Sequence, residues 1–203
     1  MSLMPHSTID PSSIQGHLFL LVAPSGAGKS TLIEYILGKF PELHFPISAT
    51  TRPPRPGEIE GQDYYYLTAA EFEQKINQGD FLEYAHVHGQ TYYGTLINEV
   101  ILPLQQGKNV IRHIDYQGVN SIRDILPNDK VHVIYIDAGS WSELLVRIEG
   151  RSELGPDELE RRHNSFKAEQ DFMSNADIVI SNRTGELEAA KIKLINFISG
   201  RIS

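Results

Sequence analysis

A lysine and two hydroxyls follow a glycine-rich turn at Ala23-Pro24-Ser25-Gly26-Ala27-Gly28-Lys29-Ser30-Thr31. An apolar run, Leu18-Phe19-Leu20-Leu21-Val22, leads into it, and Leu32, Ile33, Ile36 and Leu37 follow at helical spacing. Strand, glycine loop and helix in that order are the setting in which a phosphate-binding P-loop works. Gly26 and Gly28 let successive N–H groups turn toward an anion, and the helix N-terminus adds partial positive charge. Lys29 is placed to reach the outer phosphates, and Ser30 to ligate a phosphate-bound Mg²⁺. The first position of the motif, a glycine in its consensus, is Ala23 here. The chemistry this predicts is the binding of a nucleotide phosphate.

The other informative cations gather in two places, the pair Arg52 and Arg55 on a proline-rich loop and the series Arg147, Arg151, Arg161 and Arg162. Over 203 residues the net charge is −8, which argues against non-specific nucleic-acid binding and makes these local clusters stand out. The absence of cysteine excludes disulfides and thiol catalysis and agrees with a reducing compartment. No apolar run approaches the ~20 residues of a membrane span, so neither membrane nor nucleic acid is an expected partner, and a cytoplasmic location is expected.

The elements that must position these residues alternate. After the P-loop helix, read as ending at a C′ glycine, Gly38, a short extended piece spans Phe45–Ala49. The loop from Thr50 to Glu58 is too proline-rich for helix or central strand. Tyr64–Leu67 and Phe81–Val87 read as strands flanking a helix that Thr68 and Glu71 open with a capping box. His86 and His88 share a side of the second strand, with no third ligand evident for a metal. Leu96–Gln106 reads as a helix bent or shortened by Pro103. Strands at Asn109–Ile114, Val131–Asp137 and Asp177–Ile180 then alternate with helices at Gly118–Leu126, Ser140–Gly150 (opened by a second capping box, Ser140 with Glu143), Asp157–Ser174 and Glu186–Ile198. The expected fold class is α/β: a parallel P-loop sheet covered by helices on both faces, with a small strand-rich lobe. Residues 1–13 read as a disordered extension ahead of one domain, 14–203. Within it the core is expected at 17–47 and 97–203 and the lobe at 48–96.

The stretches APSGAGKST, ISATTRPPRPGEIEGQDY, FLEYAHVHGQTYYGT, IDYQG and RIEGR followed by RRHNSFKAE resemble the guanylate kinase family over nearly the whole chain from His17. The resemblance implies transfer of the ATP γ-phosphoryl group to GMP, and to dGMP, giving the diphosphate for purine nucleotide metabolism, with Mg²⁺. It implies that Arg52 and Arg55 grip the GMP phosphate, with Glu58 in the same loop and the Tyr64 and Tyr93 hydroxyls as further donors. Arginine forks suit a phosphate dianion. Glu83 and Asp115 match the family's base-reading acids, Thr95 its base-reading hydroxyl and Ser48 a further GMP-site hydroxyl. The pattern suits guanine, whose N1 and N2 donate while O6 accepts. The resemblance implies a helical lid at 147–165, in which Arg151 and Arg162 match arginines that close over the ATP phosphates and Arg147 is a third, and Asn182 matches an adenine-contacting position. Arg161, adjacent to Arg162 on a helix, should face elsewhere.

Two departures stand out. His113 occupies a position where the family usually has an aspartate able to hold Mg²⁺ waters. As neutral imidazole it could still accept from metal-bound water, and with an ordinary pKa of ~6.5 its charge would change near neutrality. One extra residue lies in His88-Gly89-Gln90-Thr91. Two other readings compete: a P-loop kinase acting on a sugar phosphate such as ribose bisphosphate, which has no use for Glu83 and Thr95, and a non-catalytic protein-binding module, which tends to lose the P-loop lysine. Oligomeric state is not legible in the residues.

Overall fold

The computed structural model describes residues 9–87, 91–150 and 154–202. In chain order its first half contains β1 (Leu18–Val22), α1 (Lys29–Lys39), β2 (Ser48–Thr50), β3 (Tyr65–Tyr66), α2 (Ala69–Gln78), β4 (Phe81–Val87) and β5 (Thr91–Leu96). There follow α3 (Ile97–Gln105), β6 (Val110–His113), α4 (Tyr116–Arg123), β7 (Val131–Asp137), α5 (Trp141–Glu149), α6 (Pro156–Phe172), β8 (Ile178–Ser181) and α7 (Leu187–Ile202).

β1 is buried along its whole length, as its unbroken apolar run requires of a strand covered on both faces. It pairs in parallel with β6 and β7, and β8 extends the sheet beyond β7, in the order β6-β1-β7-β8. Side chains alternate across it. Phe19 and Leu21 pack with Ile33 and Ile36 of α1 and Leu194 and Ile198 of α7. Leu18, Leu20 and Val22 pack on the other face with Val100 and Leu104 of α3 and Val119 and Ile122 of α4. Each such side chain contributes about 1.5–3 kcal/mol relative to exposure. Leu21 pairs with His113, so the loop leaving β1 and the end of β6 emerge side by side. Ligands of open α/β sheets bind in the crevice at these carboxyl ends.

The second sheet, β3-β2-β5-β4, is built from residues 48–96 alone and holds its own cluster of Ala49, Phe72 and Phe81 against α2. Phe72 and Phe81 stack with centroids 4.2 Å apart. The Thr68 and Ser140 capping boxes form as expected. The P-loop helix departs from expectation, running through Gly38 to Lys39 with Phe40 as C-cap, its N–H bonded to the Ile36 carbonyl. Phe40 packs against the core, and that contact carries the helix past the glycine. α3 also runs through Pro103 to Gln105. The missing proline N–H orphans the Glu99 carbonyl, which accepts instead from His44 Nε2–H at 3.0 Å. The extension read to residue 13 ends earlier among the described residues: Pro11–Ser13 forms a 3₁₀ turn capped by Asp10, and Ile9 packs on the core. Among the described residues no helix is long and apolar enough to cross a membrane.

Candidate active site

The turn from β1 into α1 takes the conformation its glycines permit. Gly26 and Gly28 have φ of 87° and 90°, and a Cβ on Gly28 would stand 2.7 Å from the Asn182 amide nitrogen. All nine residues from Ala23 to Thr31 line one cavity of about 390 Å³, with His113, Ile114, Asp115 and Glu169 as its opposite wall. Lys29 opens α1, and its ammonium donates back to the Ala23 carbonyl and, at 3.2 Å, to that of Pro24. Burial lowers its pKa, opposed by the carboxylates of Glu169 and Asp115.

Glu169 is a functional candidate that the sequence reading missed. It is 9% exposed, lines the P-loop cavity, and its Oε2 has no hydrogen-bond partner among the described residues. Burial pushes its pKa up to about 7, with Lys29 opposing and Asp115 reinforcing. Its signal was the spacing to Arg162: seven residues, two helical turns, puts both on one face of α6. His113 is corrected in the other direction. Its side chain is exposed on the cavity wall, yet desolvation by the cleft around it, with the Arg112 and Lys29 cations beside it, pushes its imidazole down to about 4. The direction favours the neutral imidazole, with the pKa below the ordinary value near 6.5. An unpartnered carboxylate oxygen and the Ser30 hydroxyl in one cavity are hard oxygen donors, the kind Mg²⁺ takes alongside substrate phosphates. The residues present fit that ion.

A second cavity, of about 380 Å³, shares His113, Ile114 and Asp115 with the first. Ser48, Tyr64, Glu83, Tyr93 and Arg112 line it. Tyr64 and Tyr93 meet edge to face at 6.0 Å. Asp115 caps α4 by accepting from the Gln117 N–H at 2.8 Å, which leaves its carboxylate on the wall between the cavities. Thr95 differs from expectation. It is fully buried, outside the cavity lining, and donates to Glu83 Oε1 at 2.7 Å. Its place opposite Glu83 across β4 and β5 makes it a support for that carboxylate rather than a group facing a ligand. Arg112, inside the apolar run of β6, donates to the same Oε1 at 2.6 Å and was also missed.

On the proline loop, Arg52 forks onto Glu58 through two bonds of 2.9 and 2.8 Å and lies over the Tyr64 ring at 5.3 Å. Glu58 also accepts from the Arg55 N–H at 2.6 Å and the Tyr66 hydroxyl at 2.7 Å, and Arg52 above all holds its carboxyl down to about 2. Glu58 is thus the counter-ion that sets the loop, and as a carboxylate it offers a phosphate no donor. The Arg55 side chain is exposed.

On α6, Arg162 donates to Glu158 at 2.8 Å and to the Ser25 hydroxyl of the P-loop at 3.1 Å. Arg161 faces away, its side chain 63% exposed. Arg147 bonds the Asn182 carbonyl at 2.9 Å and the Thr184 hydroxyl at 3.3 Å. It therefore holds the loop after β8, away from the lining of the P-loop cavity. The Asn182 amide donates to the Ala27 carbonyl at 2.8 Å, bracing the P-loop, and the same residue lines a third cavity with Gly26, Gly28 and Arg147. Trp141 packs on His163 and Phe166, and His86 on Tyr92. Arg151, His88 and the extra residue near Gln90 lie outside the described residues.

The family model described as Guanylate kinase matches residues 15–200. The guanylate kinase of Nostoc sp. is 38% identical over 196 residues, 96% of this chain and 97% of the relative. That of Fusobacterium nucleatum is 39% identical over 187 residues, 92% of this chain and 98% of the relative. Among solved structures, guanylate kinase from Anaplasma phagocytophilum shares the fold with a TM-score of 0.65 at 24% identity, over 93% of this chain and 86% of that one.

Proposed function

The chain belongs to the guanylate kinase family and transfers the γ-phosphoryl group of ATP to GMP, giving ADP and GDP, and we propose that ATP occupies the P-loop cavity and GMP the cavity beside it. The observation that carries this reading is the shared wall His113–Asp115, which brings a phosphate cradle and a pocket with an acidic reader into contact. In the transfer, an oxygen of the GMP phosphate bonds to the γ-phosphorus as the bond to the β-bridging oxygen breaks and ADP departs with that electron pair.

Lys29 leaves its loop carbonyls to accompany the migrating group, and the P-loop N–H groups hold the remaining phosphates. Arg162, already on the P-loop through Ser25, supplies charge where negative charge spreads in the transition state. Arg151 belongs to the same lid by its place in the sequence. Arg52, oriented by Glu58, and Arg55 take the GMP phosphate together with the Tyr64 and Tyr93 hydroxyls. Glu83 and Asp115 accept from the base, and Ser48 contacts the same nucleotide. Arg147 and Asn182 hold the adenine side.

Ser30 would ligate Mg²⁺, and Glu169 would accept from its waters, a task the neutral His113 also permits. Mg²⁺ held there would supply positive charge to offset the charge of the phosphates. Residues 48–96 act as the GMP lobe, 147–165 as the lid, and 17–47 with 97–203 as the core. We place the enzyme in the cytoplasm, with nucleotides as its partners.

The test is a coupled assay offering GMP, dGMP, AMP and ribose bisphosphate to wild type and Lys29→Ala. GMP and dGMP should be turned over well and the other two poorly. A folded Lys29→Ala should lose at least about 10²-fold in kcat. Preference for ribose bisphosphate, or a near-normal Lys29→Ala enzyme, would overturn the assignment.

A further inference from the structure

The Glu83–Arg112 pair joins two residues 29 positions apart, on β4 of the lobe and β6 of the core. Both side chains are largely buried, 19% and 9% exposed, and both line the second cavity. Arg112 Nη2 and the Thr95 hydroxyl load the same oxygen, Glu83 Oε1. Glu83 Oε2 takes no hydrogen bond among the described residues, and Arg112 Nε is buried without a partner. A buried ion pair adds little stability over an apolar pair of similar volume, and an unsatisfied N–H is a further cost. What the pair contributes is the face it turns to the cavity: a carboxylate acceptor with a guanidinium donor beside it.

That order is the complement of one base edge. Guanine carries two donors, N2–H and N1–H, followed by the O6 acceptor, and N7 lies beyond O6 as a second acceptor. Cytosine answers that edge with two acceptors and a donor; the open Glu83 Oε2, whose two lone pairs can take N1–H and N2–H, and the guanidinium beside it present the same order, acceptor then donor. Arginine forks onto O6 and N7 are the common way proteins read guanine in nucleic acids. We propose that Arg112 is a specificity-determining residue that donates to guanine O6 while Glu83 accepts from N1–H and N2–H. Adenine would set its N6 amino group against the guanidinium, donor against donor, and its N1 acceptor against the Glu83 carboxylate, acceptor against acceptor. The inference rests on GMP occupying this cavity.

The experiment measures kcat/KM for GMP, IMP and 6-thio-GMP. IMP keeps O6 and N1–H but lacks the N2 amino group. 6-Thio-GMP keeps both donors and replaces O6 with sulfur, a weak acceptor. Wild type should prefer GMP to 6-thio-GMP by roughly 10- to 100-fold. Arg112→Met should bring that ratio near one while preserving the GMP-to-IMP ratio, and Glu83→Gln should do the converse. Arg112→Lys, which keeps a donor, should fall between wild type and Arg112→Met. If wild type uses 6-thio-GMP as well as GMP, O6 is not read and the proposal fails, whether or not any variant folds. If Arg112→Met instead lowers the GMP-to-IMP ratio as Glu83→Gln does, Arg112 only positions Glu83, and the direct contact is excluded. A Glu83→Gln enzyme with every ratio unchanged would remove the base from this cavity and overturn the proposal together with the reading beneath it.

Discussion

Glu169 places a carboxyl in the P-loop cavity where water cannot fully solvate it, and its pKa of about 7 lies above the ordinary 4.5. Between those values the unfolded chain has released its proton while the folded chain keeps it. The folded state then binds more protons, so this group's contribution to stability falls as pH rises from about 4.5 to 7 and is level above. The displacement corresponds to roughly 3 kcal/mol. Glu169→Gln, which cannot ionise, should therefore gain stability relative to wild type on going from pH 5 to pH 8 in EDTA. Urea unfolding at the two pH values measures this, and an identical pH dependence in both proteins would show that Glu169 ionises freely. Residues like this one explain the limits of the sequence. The P-loop was legible because its lysine, hydroxyl and glycines are contiguous, and the capping boxes because both partners lie within one turn. Glu83, Thr95 and Arg112 become a unit only through the β4–β5 register and the approach of the lobe to β6, which no local pattern encodes. An arginine within the apolar run Val110–Ile114 was the visible trace of that pairing.

At the scale of the element, α6 works as a lever with one functional face. Phe166 seats it in the core through contact with Trp141, while Arg162 and Glu169, one turn before and one after, turn to the P-loop side. Arg161 lies about 100° around the helix and pairs with Glu158 at 2.5 Å, mostly in water. An exposed pair of this kind contributes about 0.3–0.5 kcal/mol at most. Arg162→Ala should lower kcat by about 10²-fold or more with a small change in KM, because its contact strengthens only as charge develops. Arg161→Ala should stay within about twofold in both constants. Steady-state kinetics on the two single variants decide it, and a larger loss for Arg161→Ala would reverse the assigned faces of α6. The helix periodicity was readable in advance, which is why Arg161 could be set apart from Arg162. The burial of Glu169 was not, because it depends on the cavity that the P-loop and residues 113–115 form with it, which no local pattern encodes.

At the scale of the whole molecule, the lobe of residues 48–96 must be tied to the core firmly enough that Glu83, on the lobe, meets Arg112, on the core. Glu99 of α3 supplies a tie. Its Oε1 accepts from the Tyr65 hydroxyl at 2.9 Å and its Oε2 from the Ile47 N–H at 3.2 Å, so a core helix grips both the entry to β2 and the edge strand β3. Its own carbonyl takes the His44 ring, fixing the chain just before that entry. Glu99→Leu keeps the volume and the helix but leaves the Tyr65 hydroxyl and the Ile47 N–H without acceptors. Each costs about 1–3 kcal/mol if it stays buried, and less if the lobe shifts to expose it to water. The lobe should therefore loosen while the parallel sheet, packed on both faces by apolar side chains, remains intact. We expect the KM for GMP to rise about tenfold, with the KM for ATP and kcat at saturating GMP within about threefold of wild type. Hydrogen exchange should quicken in residues 47–66 and stay unchanged in β1 and β7, which GMP binding would partly reverse. If exchange quickens equally in β1 and β7, Glu99 supports the core as a whole, and the lobe has no separate attachment at this point.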